Sequence, residues 1–377
     1  MKISDLPSVL IEEIFARVPL KSLRAVRNTC KSWNILSKSE SFIKMYTSKA
    51  ATSTREEEKT MMMIAMIGFN LYLLKVVVGD PDPFIVMFKS KPSFLSRKFR
   101  ISHVYNCEGL LLCILEDDDT KVVVWNPHYG QTRWIKTRYP HRSKGYTKYS
   151  LGYKNNESSR SFKLLRFLDL EFLGCEIYDL DSGLWTTVDV NPQWCLRDYH
   201  GSFGISLKGN TYWCVAERNI YNAVDHIIYF DFTRERFGPL LPLPSTISDY
   251  NTSVTLSCVR EEKLAVLFQQ SSTIPTMEIW ITTKINAEMV SWSKFLTIDY
   301  GPDYIDGGFF IDEDKKVAMG FNEDSPNLFS IIGKDGYLEN FYLKVPRVEY
   351  NRPDVFSYVP SLIQIKTPAQ GKKKRQS

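Results

Sequence analysis

Residues 121–137 read KVVVWNPHYGQTRWIKT. An apolar run ends at Trp125, a turn of Asn, Pro, His, Tyr and Gly follows, and a second run opens towards Trp134. Apolar and aromatic residues on both sides of such a turn are a hairpin signature. The pattern recurs as CEIYDLDSGLWTTVDV (175–190), HIIYFDFTRERFGPLLP (226–242) and MEIWITTKINAEMVSWSKFLTI (277–298), and more weakly as LFSIIGKDGYLENFYLKV (328–345). The aromatics of the second runs, Trp134, Trp185, Phe237 and Trp292, recur with a period of roughly 50 residues, the length of a four-stranded propeller blade. Equal spacing assigns them to packing between blades rather than to a binding surface.

Two more strands precede each hairpin. GLLLCIL, FKLLRFL, TYWCVA, KLAVLF and KVAMGF form one set, and SHVYN, YSLGY, FGISLKG, SVTLSCV and GGFFID form the other. Asn155-Asn156, Lys208-Gly209-Asn210, Glu261-Glu262 and Asp312-Glu313-Asp314 supply the intervening turns. A degenerate unit spans Met61 to Ile101, and SYVPSLIQI (357–365) is placed to add a strand to it and close the ring. Closure removes exposed sheet edges, which otherwise template aggregation. The expectation is a propeller-like all-β domain of about six blades, with a two-sheet β-sandwich as the competing architecture.

The chain opens differently. Residues 5–33 read DLPSVLIEEIFARVPLKSLRAVRNTCKSW. Leu10, Ile11, Ile14, Phe15 and Val18 recur at helical spacing, with Glu12, Glu13 and Arg17 opposite. Pro19 stops this helix, and Leu20, Leu23 and Val26 mark a second stripe. Cys30, Trp33 and Leu36 mark a third helix, and Phe42, Ile43 and Tyr46 a fourth. So short a unit is near the lower limit for independent folding, and its apolar rows exceed what three or four short helices hide among themselves. Either the β domain or another polypeptide covers the excess. The polar run 52–60, TSTREEEKT, reads as a linker.

Composition bounds the rest. Of 377 residues, 44% are hydrophobic and 24% charged, the balance of a globular protein. The net charge of +5 is too mild to demand nucleic acid, which is not expected as a partner. No apolar run spans a bilayer and no leader opens the chain, so neither a membrane nor secretion is expected. Seven scattered cysteines read as reduced core thiols. No metal-binding pairing of the five histidines, phosphate loop or nucleophile elbow is present, so no catalytic residue, metal or cofactor is assigned. The acidic run Glu116 to Asp119 reads as a solvated turn. The loop TRYPHRSKGYTKY (137–149) is basic, aromatic and long, and supplies candidate target contacts: Arg138, Tyr139, His141, Arg142, Lys144 and Tyr146. The tail GKKKRQS could act as a nuclear import signal or as a solubilising end.

The opening residues resemble an F-box. Leu6-Pro7, Ile14, Val18-Pro19, Leu23, Arg27, Cys30-Lys31 and Trp33 carry the resemblance, while Val9 and Leu10 stand where an acidic-then-apolar pair is often found. VVVWNPHYGQTRWI, YSLGY, EIYDLDSGLWTTVDV, SLKGNTYWCVA, FDFTRERFGPLLPLP and EIWIT resemble the plant F-box-associated region, although the paired glycines of kelch proteins proper are missing. The resemblance implies an α+β multidomain chain: F-box helices over 1–46, a linker over 47–60, a β domain over 61–366 and a basic tail over 367–377. It further implies docking of Leu6, Pro7, Leu10, Ile11, Ile14, Val18, Pro19, Leu20, Leu23, Cys30 and Trp33 on a Skp-type adaptor and through it a cullin. Such a chain would be a non-catalytic substrate receptor of an SCF-type ubiquitin ligase, in the cytoplasm and/or nucleus, with the target protein unidentified. The rivals are an F-box protein acting outside ubiquitination, and a carbohydrate- or small-ligand-binding propeller capped by its own helices.

Overall fold

The computed structural model describes residues 60–78, 83–90, 92, 99–138, 148–155, 160–168, 174–190, 194–196, 204–217, 226–244, 252–270, 276–299, 305–322, 325, 327–334, 338–344 and 354–365, together with Ile11, Ile14, Trp33 and Leu36. Those four N-terminal residues are helical. The proposed linker up to residue 59 and the basic tail lie outside the described residues, while Thr60, placed in the linker from sequence, opens the first strand.

The described strands form six antiparallel sheets, each one blade of a propeller. The second blade shows the plan. Ile101–Cys107 is innermost, followed outward by Leu110–Leu115, Lys121–Asn126 and Gln131–Lys136. The third blade is Tyr149–Asn155, Arg160–Phe167, Cys175–Asp179 and Trp185–Val188. The fifth runs from Thr252–Val259 to Val290–Asp299, and the sixth from Ile305–Asp312 to Leu338–Tyr342. Central strands such as Leu110–Leu115 and Val317–Asn322 are buried at every position. A sheet covered by a blade on each face needs apolar side chains in both directions, so these strands do not alternate with polar residues. The β-sandwich alternative is thereby excluded.

A single Asx residue shapes the outer hairpin of four successive blades. The side-chain oxygens of Asn126, Asp179, Asp231 and Asn286 each accept hydrogen bonds from the amides two and three residues on. This side-chain mimic of a backbone turn starts each reversal, and in the second and third blades Gly130 and Gly183 complete it at positive φ.

The fourth blade is wider than expected. Its inner strands are Ile205–Leu207 and Asn210–Glu217, and Trp194–Leu196 pairs along Asn210–Glu217 as well. Trp194 lies edge-on to Phe237, with ring centroids 5.0 Å apart, so the added strand extends the aromatic core between the third and fourth blades. Phe237 packs in that core, Trp185 donates from Nε1 to the Lys136 carbonyl at 3.0 Å, and Trp292 donates to the Pro242 carbonyl at 3.0 Å. Each therefore ties its blade to the preceding one. Trp134, at 40% exposure, instead meets Phe99 with centroids 5.8 Å apart.

Closure joins the two ends of the β region. The first blade takes Thr60–Ile67, Asn70–Val77 and Phe84–Ser90 from one end and Asp354–Ser357 from the other. Met63 faces Ser357 and Met66 faces Asp354 in the closing pair. The sequence placed the closing strand at 357–365, and the structure shifts it upstream. Pro360 lacks an amide to continue a ladder, so residues 358–365 become a strap across the second blade. Asn106 Nδ2 holds the Ser357 carbonyl at 2.9 Å, Asn126 Nδ2 holds those of Ser361 and Ile363, and Gln131 Oε1 accepts from the Ile365 amide. At Gly109 (φ +74°) a Cβ would lie 2.1 Å from the Val359 carbonyl, so only glycine lets the strap pass.

Candidate binding site at the propeller axis

The inner strands of five blades surround a cavity of about 80 Å³. Val104, Ile205, Leu256, Val355 and Phe356 supply apolar wall. Glu108, Lys208 and Glu261 line it from the turns that join the first and second strands of their blades. All three have positive φ, at 47°, 51° and 57°. Tight hairpins twisted like their strands demand this conformation, which usually selects Asn or Gly. Here it brings three long charged side chains to one mouth.

Their electrostatic situations differ. Glu108 accepts a hydrogen bond from the Tyr153 hydroxyl and pairs with Arg160, whose guanidinium stands 4.7 Å from the Tyr153 ring centroid. Lys208 is exposed. The carboxylate of Glu261 has no hydrogen-bond or ion-pair partner among the described residues. Burial, reinforced by the Glu108 carboxylate and opposed by Arg160, pushes its pKa up to about 7. Cys258, in the strand that leads into this turn, is pushed up to about 12, chiefly by burial, so its thiol is inert at neutral pH. Ser206, a lining residue, donates from Oγ to the buried Cys107 Sγ behind it at 3.1 Å.

The candidate target loop is only partly described. Arg138 is exposed, yet its guanidinium donates to the Trp185 carbonyl and lies 3.6 Å from the buried carboxylate of Glu176. It thus helps to clasp the second blade to the third. Tyr139, His141, Arg142, Lys144 and Tyr146 lie outside the described residues. In the acidic turn, Asp117 pairs with Arg100 at 2.8 Å and Asp118 with Lys121 at 3.1 Å. Among the described residues no group of three or more His, Cys, Asp or Glu side chains could hold a metal ion.

Of the candidate adaptor contacts, Ile11 is helical and 8% exposed, Ile14 is helical and 40% exposed, and Trp33 is helical and half-buried. Leu6, Pro7, Leu10, Val18, Pro19, Leu20, Leu23 and Cys30 lie outside the described residues. The charged mouth at the axis was missed from sequence as a site. Lys208 and Glu261 were recognised only as turn residues, Glu108 was not singled out, and their convergence needs the ring.

Two family models match the chain, the F-box domain over residues 3–45 and the F-box associated beta propeller domain over residues 62–365. The chain belongs to the plant F-box proteins that carry an F-box associated beta propeller domain. F-box protein At2g38590 of Arabidopsis thaliana is 57% identical over 403 residues, covering 100% of this chain and 93% of the relative. F-box/kelch-repeat protein At4g33290 of the same plant is 53% identical, covering 100% and 92%. Among solved structures, a putative 6-phosphogluconolactonase from Bacteroides fragilis aligns with a TM-score of 0.39 and 9% identity, over 81% of this chain and 99% of that one. So distant a likeness has no bearing on function.

Proposed function

We propose that this chain is the substrate-recognition subunit of an SCF-type cullin–RING ubiquitin ligase. One observation supports the reading above others: an F-box over residues 3–45 is joined in a single chain to a closed propeller. The F-box binds a Skp-type adaptor, and through it a cullin, by burying Leu6, Pro7, Leu10, Ile11, Ile14, Val18, Pro19, Leu20, Leu23, Cys30 and Trp33. Ile14, 40% exposed, is the most exposed of the described candidate contacts. The propeller holds the target, with Arg138, Tyr139, His141, Arg142, Lys144 and Tyr146 as contacts on one loop. The chain performs no bond chemistry. It raises the effective concentration of target lysines at the ubiquitin-charged enzyme, as any positioning scaffold does. The setting is the cytoplasm and/or nucleus, with Lys372, Lys373, Lys374 and Arg375 as the import signal in the second case.

Pull-down with a Skp-type adaptor tests the reading. The parent chain is captured, and Leu6→Ala combined with Pro7→Ala loses capture while the propeller keeps its melting temperature. Equal capture of both proteins would dismiss the docking residues, and no capture of either would dismiss the receptor.

A further inference from the structure

The axial cavity is too small for a drug-sized ligand, which needs roughly 300 Å³ or more. At roughly 10–15 Å³ per water-sized sphere, its 80 Å³ has the scale of a single amino-acid side chain. The wall is apolar along Val104, Ile205, Leu256 and Val355. The lining also contains a carboxylate, Glu261, that no described residue partners. Glu261 is half-buried, and among the described residues the cation acting on it is Arg160, already paired to Glu108, so drawing its carboxylate further out of water costs free energy that a proton or a second cation relieves. An aliphatic stem ending in a positive charge matches both features.

We infer that the axial cavity receives one basic side chain, lysine or arginine, of the recruited protein, its stem on the apolar wall and its cation on Glu261. This rests on the receptor reading above and supplies the chemistry of its target. Glu108 adds negative potential but is already engaged by Arg160 and Tyr153, so Glu261 makes the principal contact. Lys208, exposed at the same mouth, is the competing cation.

The charged and titratable groups around Glu261 are Glu108 and Tyr153, with Arg160, from the second and third blades; Lys208 from the fourth; Cys258 in the strand before its turn; and Cys107, which accepts from the lining residue Ser206. Its neighbour Arg260 is paired to Asp314 of the sixth blade. Of these, Glu261 titrates near neutrality, so cation binding strengthens as pH rises from 6 to 8.

The test is saturation-transfer NMR on the full chain with N-acetyl-arginine amide, N-acetyl-lysine amide and the neutral N-acetyl-norleucine amide. At pH 8 a cationic probe binds and norleucine does not. Glu261→Gln weakens the cation about tenfold or more, the scale of a lost charge-assisted hydrogen bond. Lys208→Gln, at an exposed position, strengthens it. The parent chain loses binding between pH 8 and 6, a readout independent of any variant's folding. Equal binding of norleucine, no binding of either cation, or binding unmoved by both Glu261→Gln and pH would overturn the inference. Adaptor capture is measured on the same preparation. Capture without cation binding refutes the cavity's role, whereas cation binding without capture refutes the receptor reading and leaves a basic-side-chain site standing.

Discussion

Asn126 couples the outer hairpin of the second blade to the strap that closes the ring, and replacing it tests that coupling. Its side chain is fully buried. Nδ2 donates to the Ser361 carbonyl at 3.1 Å and to the Ile363 carbonyl at 2.6 Å, while Oδ1 accepts from the amides of His128 at 2.9 Å and Tyr129 at 3.2 Å. At about 1 kcal/mol net per hydrogen bond, Asn126→Ala loses on the order of 4 kcal/mol, more where the strap carbonyls find no water. For a domain of this size that corresponds to a melting temperature lower by roughly 8 °C. Near-UV circular dichroism follows the melt, and hydrogen exchange reads the amides of residues 358–365. Asn126→Asp separates the two halves of the site. Its carboxylate still accepts from His128 and Tyr129 but offers no donor and faces two carbonyl oxygens. It must be protonated to donate, so its folded pKa rises and the variant loses stability as pH climbs above about 4. A melt of Asn126→Ala within about 2 °C of the parent, with strap protection unchanged, would refute the coupling.

Further outcomes follow from other positions. The folded pKa of Glu261, about 7, lies above its unfolded value of 4.5, so deprotonation across that interval destabilises the protein. Glu261→Gln is therefore more stable than the parent at pH 8, by at most about 3 kcal/mol, and the advantage vanishes below about pH 4.5 in paired denaturant titrations. Gly109→Ala puts a Cβ against the Val359 carbonyl at a positive φ, so thermal melting falls and proteolysis reaches the strap earlier than in the parent. Cys175, Cys214 and Cys258 are pushed by burial up to about 12, and Cys107 and Cys113 further still. Mass spectrometry after iodoacetamide at pH 8 then finds these five thiols unmodified in the native protein and alkylated in guanidinium.

Much of the ring was legible because a blade is a local object. Each four-stranded unit repeats its own turns, and Trp134, Trp185, Phe237 and Trp292 set the period. The packing role of Trp185, Phe237 and Trp292 could also be read, because a binding surface gives no reason for recurrence in successive blades, whereas Trp134 stands 40% exposed against Phe99. The displaced closing strand was harder. SYVPSLIQI is apolar enough to be a strand, and only the carbonyls held by Asn106 and Asn126 show it to be a strap. Trp194–Leu196 escaped notice because three residues carry no period. The axial mouth was illegible for a different reason. Glu108, Lys208 and Glu261 lie far apart in sequence, each inside an ordinary-looking turn, and their meeting is a property of the closed circle. Arg138 shows the converse, since a basic loop residue that reads as free is tied to Glu176 and Trp185.

The join between Thr60–Ile67 and Asp354–Ser357 also orders events at the ribosome. A nascent chain emerges with its first β unit one strand short, and nearly three hundred residues must be translated before the missing partner exists. Throughout that interval the row of amides and carbonyls from Met63 to Met66 is open to any passing strand, and chaperones have reason to shield it. A premature stop codon anywhere before Asp354 thus leaves an open horseshoe, a candidate for quality control rather than a slightly shortened receptor.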